Sequence, residues 1–186
     1  MGNWYVGQKQ GEIWGYETYG LFQSEQEIAG AANQDKVSGG IKLMPGDIRF
    51  VDRNNDGVID WGDNTVDNPG DKKIIGNSTP RYHYGINLGA DWKGFDFNIF
   101  FQGVAGADIF DATYRTDVAS GNYPSWMLGR WTGEGTSNKY PRLAVGDATN
   151  WMVSDLYVCD GSYLRLKNIT SVSYTHLRAH ETSAHL

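Results

Sequence analysis

The sequence predicts an all-β fold, a partial transmembrane antiparallel β-barrel with long extracellular loops. Three observations carry the prediction. Residues 82–102 alternate between apolar and polar positions with a period of two. The alternating runs are about twice the ~5–6 residues usual for soluble strands and match the ~9–11 residues of a tilted membrane crossing. A two-residue turn at Lys93-Gly94 stands beside long, turn-rich segments at 103–126 and 129–154, the asymmetry expected between periplasmic turns and extracellular loops.

In the hairpin, Tyr82, Tyr84, Ile86, Leu88, Ala90 and Trp92 alternate with His83, Gly85, Asn87, Gly89 and Asp91. After the turn, Phe95, Phe97, Ile99 and Phe101 alternate with Asp96, Asn98, Phe100 and Gln102. In water the apolar face would be a core; in a barrel it would meet outer-membrane lipid while the polar face lines the lumen. Trp92 and Phe95 beside the turn fit an interfacial aromatic girdle. Residues 161–169 form another candidate strand, with Leu164 and Leu166 on one face and Arg165 and Lys167 on the other. Lipid would disfavour those cations, so they are expected to face the lumen or a loop. Residues 13–23 are a third strand region, weakened by Gly15 and Gly20. Ser24 with Glu27 forms a capping-box pattern that opens a short helix. Residues 29–40 read as loop and 45–51 as extended chain.

Composition narrows the function classes. The 186 residues carry 24 glycines, 13% aromatics and a formal net charge of −6. Clustered Lys and Arg are lacking, which excludes a nucleic-acid partner. The single cysteine, Cys159, allows no internal disulfide. No run reaches the ~20 apolar residues of a spanning helix, because Asp96, Asn98, Gln102 and Asp108 interrupt the longest apolar-rich stretch. Residues 1–5 lack a basic and an apolar leader region, so an export signal is expected upstream.

The chain changes character near its end. Val172-Ser173-Tyr174-Thr175-His176-Leu177-Arg178-Ala179-His180-Glu181-Thr182 resembles the in-frame translation of a transposase-type sequencing adaptor. Residues 171–186 are therefore read as a non-native tail and residues 1–170 as the native segment. His176, His180 and His185 leave with the tail, although a spacing of four can place two imidazoles on one helix face for a metal.

One segment has cation-binding chemistry. From Asp52 to Asp63 the sequence follows the calcium-loop pattern. Asp52, Asn54, Asp56, Asp60 and Asp63 supply oxygen side chains at positions 1, 3, 5, 9 and 12, Gly57 makes the sharp turn, and Val58 gives its carbonyl. Ile59 is the apolar anchor. Asp63 stands where a longer Glu is usual, and the flanks read as extended, so the expectation is a structural Ca²⁺ on a β scaffold. The competing reading is an Asp/Asn/Gly-rich turn held by its own side-chain-to-backbone hydrogen bonds. No nucleophile elbow, P-loop or zinc spacing occurs outside the tail, and no carboxylate pair stands out, so no catalytic residue is expected and the protein is read as a non-enzyme.

Several motifs in order resemble one family. Gly15-Tyr16-Glu17-Thr18-Tyr19-Gly20-Leu21-Phe22-Gln23 is followed by Pro45-Gly46-Asp47-Ile48-Arg49-Phe50, then Asp52-Arg53-Asn54-Asn55-Asp56-Gly57-Val58-Ile59-Asp60. Ile75-Gly76-Asn77-Ser78-Thr79-Pro80-Arg81-Tyr82 precedes the hairpin. Trp131-Thr132, Pro141-Arg142 and Asp160-Gly161-Ser162-Tyr163-Leu164-Arg165-Leu166-Lys167-Asn168 complete the set. Together they resemble SusC/RagA-type TonB-dependent transporters. The resemblance implies a late barrel segment of a larger outer-membrane importer of glycans or peptides, with a SusD/RagB-like surface lipoprotein and the TonB complex as partners. His83, Asn87, Asp91, Asp96, Asn98 and Gln102 would form polar wall, and Trp126, Trp131 and Tyr140 are candidates to stack on sugars. The alternative is a secreted, calcium-stabilised β-sandwich that binds carbohydrate.

Overall fold

A computed structural model describes residues 4–111, 113, 121–146 and 149–173. The chain folds as two compact units. One takes in Met1–Thr79 and Ala107–Gly161, the other Pro80–Gly106 and Ser162–Leu186. Most of the adaptor-like segment, with His176, His180 and His185, lies outside the described residues.

The second unit is a three-stranded antiparallel sheet of β5 (Tyr82–Trp92), β6 (Phe95–Ala105) and β9 (Tyr163–Ser173), each of 11 residues, in the order β5-β6-β9. Lys93 and Gly94 both take positive φ, 47° and 83°, the primed turn whose twist suits a two-residue hairpin. The register runs unbroken from Trp92 opposite Phe95 to Tyr82 opposite Ala105. Period two therefore stacks Ile86 on Phe101, Leu88 on Ile99 and Ala90 on Phe97 on one face.

β9 joins the same pattern through a bulge. Leu166 pairs with Phe101 and Asn168 with Phe100, leaving Lys167 as the extra residue. Strict alternation would turn Asn168 to the apolar face and Ile169 to the polar one. The inserted residue reverses the phase, so Ile169 lies opposite Ile99 and Thr170 opposite Asn98. Arg165 sits beside Gln102 on the polar face, as expected. The strand continues to Ser173, opposite Phe95, three residues beyond the boundary drawn from the sequence.

The first unit is built from short antiparallel pairs: β1 (Glu12–Tyr16) with β4 (Lys72–Asn77), β2 (Thr18–Leu21) with β3 (Ile48–Phe50), and β7 (Asp108–Phe110) with β8 (Val158–Asp160). The 13–23 region is thus two strands, with register shifts at Ile13/Trp14 and at Thr18/Gly20. Ser24 caps α1 (Glu25–Ala29) through the Glu27 N–H. The Glu27 carboxylate accepts the Gln23 N–H at 2.7 Å, one residue earlier than a standard box. The 29–40 region read as loop contains α2 (Asp35–Ser38). Its four residues are too few for a periodic signal. Tyr16, Leu21, Val37, Ile48, Phe50, Ile59 and Tyr157 form the core of this unit.

Candidate functional site

The polar face of the sheet gathers the predicted wall. His83, Asn87, Asp91, Asp96, Asn98 and Gln102 share one side, because each alternates with the apolar stack through a continuous register. Arg165, Asn168 and Thr170 extend that side across β9. The opposite side is open. Leu88 is 54% exposed, Phe95 52% and Leu166 50%. A water-soluble sheet covers such a face, because each buried side chain of this size is worth ~1.5–3 kcal/mol. The polarity of the two faces is that of a barrel wall, with lipid outside and lumen inside.

The Asp52–Asp63 loop is ordered by its own side chains. The Asp52 carboxylate accepts the N–H groups of Asn55 (2.7 Å) and Gly57 (2.8 Å), Asn54 accepts that of Asp56, and Asp56 accepts that of Val58. Ile59 is fully buried, and the chain pairs there with residue 33 through Asn33 N–H to Gly57 O and Ile59 N–H to Asn33 O, both 2.8 Å. Asp60 turns to Lys36 at 2.7 Å, and Asp63 accepts from Asn68 at 2.9 Å. Lys36 holds the Asp60 carboxyl below its usual range, and Asp60 in turn raises the Lys36 ammonium. Of the six expected ligands, Asp52, Asn54, Asp56 and Val58 occupy the turn, while Asp60 and Asp63 are directed to other partners. Among the described residues no group of three or more His, Cys, Asp or Glu is placed to hold a metal. In the first half of the loop the side-chain oxygens of Asp52, Asn54 and Asp56 accept hydrogen bonds from within the turn, and in the second half Asp60 and Asp63 are committed elsewhere.

Behind this loop lies a buried polar clamp. Asp47 is fully buried. Its carboxylate accepts from Arg142 Nε at 2.6 Å and Nη2 at 3.2 Å, from Asn150 Nδ2 at 2.8 Å, and from the Met44 N–H at 2.8 Å. Asn150 returns its amide oxygen to the Ile48 N–H at 2.9 Å. On the other side of β3, Gln34 donates to Ile48 O at 3.0 Å and accepts from the Phe50 N–H at 2.8 Å, so one side chain stands in for a neighbouring strand. Asp71, also fully buried, accepts the N–H groups of Arg53 and Asp60 at 2.8 Å. Gly46, at φ 93°, leaves no room for a side chain against the Trp131 ring. The Pro45-Gly46-Asp47 and Pro141-Arg142 motifs, far apart in sequence, thus meet in one buried bidentate pair.

No protein-family model matches the chain. The TonB-dependent receptor P3 of Formosa agariphila is 34% identical over 166 residues, 88% of this chain and 15% of its own length. The receptor P26 of the same organism is 27% identical over 168 residues, 88% of this chain and 16% of its own length. The chain is related to the TonB-dependent receptors. It spans about 15% of the length of the curated relatives it matches. Among solved structures, the RagAB peptide importer in its open-open state aligns over 89% of this chain and 16% of its own, with a TM-score of 0.52 and 18% identity, which shows the fold.

The loop aromatics are less available than the sequence suggests. Trp126 packs on Tyr140 with ring centroids 4.9 Å apart. The Trp131 indole N–H donates to Gln23 at 3.1 Å, and its ring lies against Gly46. Trp131 is partly buried against the core of the first unit, and Trp126 and Tyr140 are half-buried on each other. The residues that sequence reasoning passed over are Gln34, Asp71 and Asn150. Each is a lone polar residue whose partners are mostly backbone groups, and no spacing pattern marks such a role.

Proposed function

We propose that the chain is part of a TonB-dependent outer-membrane importer of glycans or peptides, working with a surface lipoprotein and driven by the TonB complex. The observation that carries this reading is the register of the β5-β6-β9 sheet. It puts every large apolar side chain of β5 on one uncovered face and His83, Asn87 and Asp91 on the other. The relatedness to TonB-dependent receptors supports it. RagAB, whose fold this chain shares, is a peptide importer, which favours an import role here. In this reading the Lys93-Gly94 turn lies on the periplasmic side.

Calcium enters this proposal as an ordering ion at the Asp52–Asp63 loop, held by Asp52, Asn54, Asp56 and the Val58 carbonyl. Asp60 joins only when Lys36 releases it. Loss of the Lys36 ammonium then strengthens calcium binding, and calorimetric titration of K36M against the parent checks this. The reading as a secreted sandwich is disfavoured by the open apolar face, because a sandwich buries it. The deciding experiment is solubility. The importer segment aggregates without detergent, through its free strand edges and lipid-facing stripe. A monodisperse chain in plain buffer that unfolds cooperatively refutes the proposal.

A further inference from the structure

The first unit contains an open cleft of about 490 Å³ between the β2/β3 pair and the 134–138 loop. Its chemistry comes from a bulge. Gly20 pairs with Arg49 and Thr18 with Phe50, so Tyr19 is the extra residue on β2. Gly20, at φ 116°, absorbs the distortion. The bulge brings Tyr19 to the same face as Arg49, whose guanidinium carbon lies 4.8 Å from the Tyr19 ring centroid and 5.9 Å from that of Phe22. Phe22 is fully buried, while Tyr19 is 72% exposed. Two rings therefore hold the guanidinium plane. Among the described residues no carboxylate pairs with it and no acceptor takes its N–H groups.

The other groups around the cleft are mostly committed. Gln23 uses its whole amide: it donates to Leu21 O and Ser137 O at 3.1 Å and accepts from the Gly135 N–H at 2.9 Å and from Trp131. This fixes the 134–138 loop against β2. The Asn138 oxygen accepts the Leu21 N–H at 2.9 Å, which orients the amide and leaves its Nδ2 as a donor. Glu27 is bound to the Gln23 N–H, and Glu134 stands exposed on the wall. The cleft thus offers a pre-oriented five-donor fork, an amide donor, and an exposed aromatic ring. The fork matches the two oxygens of one carboxylate. The two flanking glutamates oppose a run of adjacent negative charges. A Tyr ring with one free face suits the apolar face of a sugar ring.

We propose that this cleft is a subsite for an isolated uronic-acid residue of an otherwise neutral glycan. Arg49 takes the carboxylate, the face of Tyr19 turned away from Arg49 packs on the adjoining neutral sugar, and Asn138 donates to a hydroxyl. The inference rests on the importer reading for its biological setting, but the binding chemistry does not depend on transport.

The test is calorimetric titration of the full-length receptor in detergent with the disaccharide glucuronosyl-xylose. Two further ligands serve as probes: the same disaccharide with its carboxyl reduced to the alcohol, and the tripeptide Gly-Glu-Gly. The uronate should bind, and reduction of the carboxyl should weaken binding about tenfold or more, the scale of a charge-assisted bidentate contact. R49M should do the same. R49K, which keeps the charge but not the fork, should fall between, and it carries the test if R49M alters the surface-proteolysis pattern. Y19L should weaken the disaccharide several-fold. Equal binding of the reduced disaccharide, or unchanged binding by both Arg49 variants, overturns the subsite. Equal binding of the tripeptide overturns the glycan in favour of an acidic peptide. Uptake in hosts with and without TonB is read separately. TonB-independent uptake refutes the importer reading and leaves the calorimetric result standing.

Discussion

Consider Arg142→Met within the full-length protein. Methionine keeps much of the unbranched apolar stem and deletes the guanidinium with its hydrogen bonds to Asp47. Asp47 is fully buried and would keep only Asn150 and the Met44 N–H. Removing one partner of a buried pair costs about 3–5 kcal/mol, because the other charge is left uncompensated. At about 1.4 kcal/mol per factor of ten, the open population of this unit should rise by roughly two to three and a half orders of magnitude. Limited surface proteolysis follows that population when opening and closing outpace cleavage. Cleavage within residues 4–79 or 121–161 should accelerate accordingly. Arg130→Met is the control, because Arg130 makes one 3.3 Å contact to the Met127 carbonyl and should change cleavage about tenfold at most. Cleavage of Arg142→Met within threefold of the parent would refute the clamp as the element joining the two stretches of this unit.

Further outcomes follow from the same geometry. Leu88→Arg, on the open apolar face, should cost about 2–4 kcal/mol in the membrane and lower the yield of folded, heat-modifiable receptor on gels, whereas Gln102→Arg on the polar face should be tolerated; equal effects would contradict the face assignment. Gln34→Leu strands the Ile48 carbonyl and the Phe50 N–H in the core, at about 1–3 kcal/mol each, and hydrogen exchange at Phe50 should speed up by more than tenfold. The Asp60 carboxyl is held low by Lys36, so its stabilisation is present above the ordinary Asp range and is lost as pH falls through its lowered folded value. The Lys36 contribution has the opposite sign: it is present below the ordinary lysine range and is lost as pH rises through the raised folded value. Amide protection factors in the Asp52–Asp63 loop should therefore be highest between those limits and fall at both extremes, and K36M should flatten the alkaline arm.

The hairpin was legible because side-chain period and strand period coincide without interruption from Tyr82 to Phe101, and because Lys93-Gly94 is a turn with an evident backbone requirement. The third strand was legible only in part. Leu164 and Leu166 mark it, but the phase reversal at Lys167 breaks the alternation that sequence reading relies on. The first unit was harder. Its strands are 3 to 6 residues long, too short for a period to register, and Gln34 and Asn150 replace strand neighbours that a pattern search would seek. The Asp/Asn/Gly spacing of residues 52–63 corresponds to a tight turn in which Ile59 is buried. What spacing could not foresee is that Lys36 and Asn68 engage Asp60 and Asp63, since those contacts depend on where α2 and the 65–70 turn settle. The cleft was equally hidden, because Tyr19 and Arg49 become neighbours only through a one-residue bulge.

The order in which the chain passes between its two units has a kinetic consequence. The hairpin is encoded between the two stretches that make up the first unit. During synthesis, residues up to 79 appear before residues 107–161, with Asp47 and the β3 backbone lacking Arg142 and Asn150. They must wait through the whole hairpin before their partners, about a hundred positions later, arrive. Closing so large a loop is slow, and the waiting stretch exposes unpaired strands and an unmatched carboxylate. Such a segment stays open to aggregation until residues 142–150 have been made. A nascent chain halted before residue 142 is the species most prone to be lost.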